Sequence, residues 1–210
     1  MADRIYIDYD GIKAVAEKYS RIESRLENVY SQMSGIEERL DMVWDGSASE
    51  AALYELRQIS ASVKKCAYGA SCGARVLASV VQVFQSVVLL GNGVADSGWS
   101  IRSPIIGADL QIPFVRLRFH SEMRMNPQEV ISLAYGYGKT AVELGDVAQY
   151  HREALQGLQG TWAGKAFEKF MSYYRNYEKT LMKLSDSAEE AYRELVVIAE
   201  RYRDLDRGRC

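Results

Sequence analysis

Cysteine, histidine and net charge are all scarce in this chain, and each scarcity closes a class of function. Three cysteines in 210 residues make no disulfide framework. Cys66 and Cys72 stand about 240° apart around a helix and about 9 Å apart along it, too far to bridge. Cys66 falls on an apolar seam and reads as a small core residue; Cys210 reads as a solvated thiol or as a cross-link between two chains. His120 and His151 are the only histidines, and neither stands in a Cys/His/carboxylate cluster at ligand spacing, so no metal is expected. A net charge of -2, spread along the sequence, gives no basic footprint for nucleic acid. No 18-residue stretch is free of polar breaks, so no stable membrane span is expected. Met1 to Asp10 has no apolar core of a Sec signal peptide. Nucleophile elbows and paired catalytic carboxylates are missing, and Gly136-Tyr137-Gly138-Lys139 sits in a helical pattern with no strand before it. The expectation is a protein without cofactor or enzymatic activity.

What the chain does have is 48% apolar residues, enough for a sizeable core, and a repeated triplet. Trp44-Asp45-Gly46 and Trp162-Ala163-Gly164 are 118 positions apart, each between two long helical patterns. The same offset aligns both halves without a gap. Ile12, Val15, Tyr19, Ile22, Leu26, Val29, Met33, Ile36, Leu40 and Val43 form one seam; its counterpart runs Val130, Leu133, Tyr137, Thr140, Leu144, Val147, His151, Ala154, Leu158 and Thr161. Identities include Tyr19/Tyr137, Leu26/Leu144, Val29/Val147, Leu40/Leu158 and Ala48/Ala166. The pattern is that of a duplicated helix-turn-helix hairpin.

Each hairpin has a legible grammar. Asp8 or Asp10 can cap the first helix, whose 3-4 spacing lasts through Val43, roughly 48 Å of helix. Gly46 permits the positive φ of a tight turn, and Ser47 to Glu50 has the form of a capping box. The second seam runs Ala52, Leu56, Ile59, Val63, Cys66, Ala70, Gly73, Leu77, Val80, Phe84 and Val87. Its counterpart runs Phe170, Tyr174, Tyr177, Leu181, Leu184, Ala188, Ala191, Leu195, Ile198, Tyr202 and Leu205. The expected fold is all-α, with hairpins over 1–90 and 126–210 in one four-helix bundle. Residues 91–125 form a connector rich in turn residues, in which 114–119 alternates like a short strand able to pair with Glu122 to Met125. Arg4 to Ile7 is similarly extended, too little to predict a sheet. If the hairpins pack head to tail, the connector must cross roughly 50 Å, well within its extended reach of about 115 Å. Only that arrangement needs so long a connector, so head-to-tail packing is expected.

The halves differ in one respect. From Cys66 to Ala95 the only charge is Arg75, and Val76 to Leu90 is apolar on more than one face. Val76, Val80, Val83, Phe84 and Val87 therefore read as a surface to be covered, by the connector first, then by a second copy or another partner. His151 takes the seam position of Met33 and reads as a satisfied or half-exposed histidine rather than a pH switch.

Each half resembles the WXG family, the early-secreted-antigen type of protein exported by type VII secretion in Gram-positive bacteria and mycobacteria. The resemblance rests on hairpin size, on Trp44/Gly46 and Trp162/Gly164 at the turns, and on the small residues Ala48 and Ala166. It implies that this chain is like an antiparallel WXG pair fused into one polypeptide. The family's second signal, Tyr-x-x-x-Asp/Glu near the end of a second helix, is matched by Tyr202 and Asp206. The first half departs from it, with Phe84 and Val88 at those positions, and a partial match at Tyr19 to Glu23 shows how easily the spacing recurs. The resemblance implies that Trp44, Gly46, Tyr202 and Asp206 form a composite read by the secretion ATPase, with Trp162 and Gly164 purely a turn. The protein is then a secreted or cell-surface substrate, or a carrier for a larger effector. Two other classes remain open: a cytosolic adaptor holding a partner's apolar helix, and a membrane-active helical protein.

Overall fold

The structure is a computed structural model that describes residues 6–90 and 124–207. Four helices account for nearly all of these: α1 (Tyr9–Val43), α2 (Ser47–Leu90), α3 (Pro127–Leu158) and α4 (Lys165–Asp206). They pair as the hairpins α1–α2 and α3–α4. The two hairpins then pack together, most closely along α1 and α3 and over a shorter stretch along α2 and α4. The 114–119 segment and most of the connector lie outside the described residues.

The hairpins run head to tail. Gly11 on α1 lies against Thr161 at the end of α3, and Ile36 near the end of α1 lies against Gly136 near the start of α3. Four two-residue strands fasten this arrangement: β1 (Tyr6–Ile7), β2 (Trp44–Asp45), β3 (Arg124–Met125) and β4 (Trp162–Ala163). β1 pairs antiparallel with β4, matching Ile7 to Trp162; β3 pairs antiparallel with β2, matching Met125 to Trp44. Each leading strand thus hydrogen-bonds to the turn of the opposite hairpin. Backbone bonds extend both ladders, from Asp8 N to Thr161 O (2.7 Å) and from Asn126 N to Val43 O (2.9 Å). The extended character of Tyr6 and Ile7 is realised as pairing, and Met125 pairs with Trp44. Sequence alone does not give these ladders, because neither strand has a partner nearby in the chain.

Local chemistry explains the helix ends. Asp8 is the N-cap of α1, its carboxylate accepting from Gly11 N at 3.1 Å, and Asn126 does the same for α3 from Glu129 N at 3.4 Å, with Pro127 following. Gly46 (φ 111°) and Gly164 (φ 121°) take backbone conformations that side chains resist. The expected capping box at Ser47 is not formed as such. Gly46 occupies the cap position, its carbonyl accepting from Glu50 N at 3.2 Å and from Ser49 Oγ at 2.9 Å, and Ser47 is already helical.

The core follows the seams except toward their ends, and α1 shows the departure. Ile12 to Met33 are buried at the expected positions, but then Glu37 goes inward and Ile36 is only half-buried; at the end Trp44, not Val43, is fully enclosed. A helix of 3.6 residues per turn drifts by about 20° per heptad against a 3.5-residue repeat. Over a helix of 35 residues that drift moves the buried stripe by one position. Cys66 is a core residue as expected, its thiol pushed up to about 12 by burial. Two phenols stitch α4 to α2: Tyr177 Oη donates to Cys66 O at 2.7 Å and Tyr174 Oη to Gly69 O at 3.1 Å.

Candidate functional site

The two tyrosine bonds fix the register of α2 against α4 as antiparallel, three residues up one helix matching three down the other. Carried back to the start of α2 at Ser47, this register reaches Val196 on α4. Tyr202 and Asp206 lie further along, so they belong to the end of the bundle that carries the Trp44 turn. At that end α4 outruns its neighbours. Tyr202 is half-buried, while Leu205, a seam position, is 54% exposed and Asp206 is exposed. The apolar seam therefore emerges into solvent at the last turn of α4, next to a carboxylate. Arg203 lies within 3.8 Å of Glu200 and 3.9 Å of Asp204, which orders the basic face of this turn.

Trp44 sits differently from these residues. Its side chain is buried, held by the pairing of its backbone with Met125, and its indole Nε1 is enclosed without a hydrogen-bond partner. Leaving such a donor unsatisfied costs about 1–3 kcal/mol. The ring is kept for its shape at the elbow, where it closes the end of the core. Gly46 is half-buried, with its N–H taking the Asp45 carboxylate at 2.8 Å. Among the described residues of this end, Gly46 and Tyr202 are half-buried and Leu205 and Asp206 exposed, while Trp44 is buried. Leu205 was read from sequence only as core; its exposure follows from the length of α4, which seam spacing does not reveal.

At the opposite end Trp162 is buried, its ring 5.9 Å from both Phe167 and Phe170. These lead into a chain of rings through Tyr174 and Tyr19 to His151. His151 is fully buried, with Nε2 3.0 Å from Tyr19 Oη and Nδ1 without a partner. Burial lowers its pKa to about 3, so the ring is neutral. Of the surface expected on α2, Val80 is fully buried in the core, and Val76 and Phe84 are half-buried and packed against it. Val83 is half-buried, and the side chain of Val87 lies outside the described ones. Among the described residues no group of His, Cys, Asp and Glu could hold a metal, and no helix is long and apolar enough to cross a membrane.

Residues 122–207 match the model of the family described as proteins of 100 residues with WXG. The match spans β3, α3, the Trp162 turn and α4 up to the Tyr202–Asp206 segment, so the second hairpin is similar to that family. No curated protein and no solved structure matches the chain.

Proposed function

We propose that this chain is a single-chain counterpart of a WXG pair, exported by a type VII secretion system as a substrate or as the carrier of a larger effector. In this reading the first hairpin is a second WXG unit and the chain arose by tandem duplication. The reciprocal β1–β4 and β2–β3 pairing supports it, since each half gives the other the same two contacts. Tyr202 and Asp206 from the second hairpin, with the Trp44–Gly46 elbow from the first, make the surface that the secretion ATPase reads. The observation that carries the proposal is the α2–α4 register, which brings the tail motif of one hairpin to the elbow of the other. Phe84, the counterpart of Tyr202, is packed on the core near the Trp162 end, which supports a purely structural role for that end. The role is non-enzymatic: the site offers a recognition surface and no chemistry. An adaptor binding an apolar helix along α2 draws less support, because Val80 is already consumed by the core.

The test is export from a host with a type VII system. Asp206→Ala removes an exposed charge and should change stability by no more than about 0.5 kcal/mol. Asp206→Ala and Tyr202→Ala should each leave the protein in the lysate and empty the medium, while Glu27→Ala, at an exposed position in the middle of α1, should not. Secretion of both tail variants at the wild-type level would remove the motif from the proposal.

A further inference from the structure

The second hairpin carries an open groove of about 410 Å³ between α3 and α4. Lys139 stands on the α3 wall and Glu189 on the α4 wall, with Tyr135, Val142, Ser185 and Tyr192 completing the lining. The apolar groups here face solvent: Val142 is 67% exposed, Tyr135 56%, and Met182, one turn before Ser185, 41%. Gly138 lets the Tyr192 ring lie against α3, since a Cβ there would meet the ring at 3.2 Å. In the first hairpin Glu17, Ser24, Lys64 and Ala74 take the places of Tyr135, Val142, Met182 and Tyr192. The exposed apolar groups are therefore no requirement of the hairpin.

We propose that a second copy of this chain docks on this groove, related to the first by a two-fold axis that passes between Lys139 and Glu189. Two contacts set the register of α3 against α4. Ser185 Oγ donates to Ala141 O at 2.8 Å, and the Tyr135 and Tyr192 rings stand 5.6 Å apart. Lys139 and Glu189 are therefore at about the same level, on helices that run in opposite directions. Val142 lies three residues after Lys139, toward the Trp162 elbow, and Tyr192 three after Glu189, toward the Trp44 elbow, each about 4.5 Å from that level. Tyr135 lies four before Lys139 and Ser185 four before Glu189, about 6 Å out on opposite sides. A half-turn exchanges the two walls and the two directions. It sets Lys139 on the partner's Glu189, Val142 on the partner's Tyr192, and Tyr135 on the partner's Met182–Ser185 turn, each contact occurring twice. This exchange of cation for anion and of ring for aliphatic side chain is what a self-complementary face requires, and an unrelated partner imposes no such arrangement. The faces that join the hairpins are already used within the chain, so association between copies falls to an outer face such as this one.

Sedimentation velocity on the full chain under reducing conditions, from about 5 µM to about 500 µM, covers the affinities of small interfaces. The mass should rise from one chain toward two. Lys139→Glu and Glu189→Lys each set like charges against one another twice and should each weaken the dimer at least about tenfold. Both positions are exposed, and the pair that Glu189 makes with Arg193 on its own helix contributes little to folding. Both variants should therefore keep the wild-type helical circular dichroism. Mixed in equal amounts, they should associate with each other within about threefold of the wild-type affinity, because both cation–anion contacts are then restored. Val142→Asp should weaken the dimer at least about tenfold in the wild-type background, since it sets a carboxylate on the partner's Tyr192. Three results would overturn the proposal: a chain that stays monomeric at the highest concentration, a dimer indifferent to both charge reversals, or reversed variants that fail to associate when mixed.

Discussion

Trp162→Ala should cost about 3–5 kcal/mol of unfolding free energy, the range for deleting a large aromatic from a packed core. The ring is buried at the elbow of the α3–α4 hairpin, and it supports Phe170, which stacks on Tyr174 with centroids 4.3 Å apart. Its backbone also carries the ladder to Ile7, so the loosened elbow belongs to both hairpins. Trp44→Ala should fall toward the lower end of the same range, because it also removes an enclosed N–H that has no partner. Urea denaturation with a linear fit gives both values. A Trp162→Ala protein within about 1 kcal/mol of wild type would mean that the elbow is not part of the core.

His151→Met should change the pH dependence of stability more than any other single substitution in the core. Methionine is the residue at the matching position 33, and at neutral pH the exchange leaves Tyr19 Oη without its partner while removing the orphan Nδ1. Those two effects offset one another; the slope with pH does not cancel. The folded pKa of about 3 lies below the ordinary value of 6.5, so both states are neutral above pH 6.5. As pH falls below 6.5 the unfolded chain takes up a proton that the folded chain refuses. Stability then drops by about 1.4 kcal/mol per pH unit until the folded ring itself protonates near pH 3. Glu37 has the opposite sign. Its folded pKa is raised from 4.5 to about 7, so its contribution is fully present below pH 4.5 and is lost as pH rises to about 7. The methionine variant retains Glu37 and should therefore gain on wild type by about 2 kcal/mol between pH 7 and pH 5. Parallel stability curves would show that the histidine is not held neutral.

How much of this was legible from the residues depends on whether the signal was local. The helices, the two elbows with positive φ and the placement of Cys66 all follow from spacing and residue type within one hairpin. The head-to-tail packing was legible only through the length of the connector. The short ladders were not, because Ile7 and Trp162 have nothing between them in sequence that marks them as partners. Glu37 was missed because a heptad count assigns position 36 to the core, and the drift that buries position 37 accumulates only over a long, nearly straight helix. Of the proposed recognition surface, Tyr202 and Asp206 were found by motif. Leu205 was taken for core, since seam spacing does not say where the neighbouring helices stop.

The adjacency of the Trp44 elbow and the tail of α4 underlies everything proposed about export. It can be measured directly by electron–electron resonance between spin labels at Met42 and Leu205, both exposed positions, with Cys66, Cys72 and Cys210 replaced. Inverted hairpins predict a distance on the order of 20 Å. Elbows gathered at the same end would separate the labels by roughly the length of α4, about 60 Å at 1.5 Å per residue, and that distance would contradict the account.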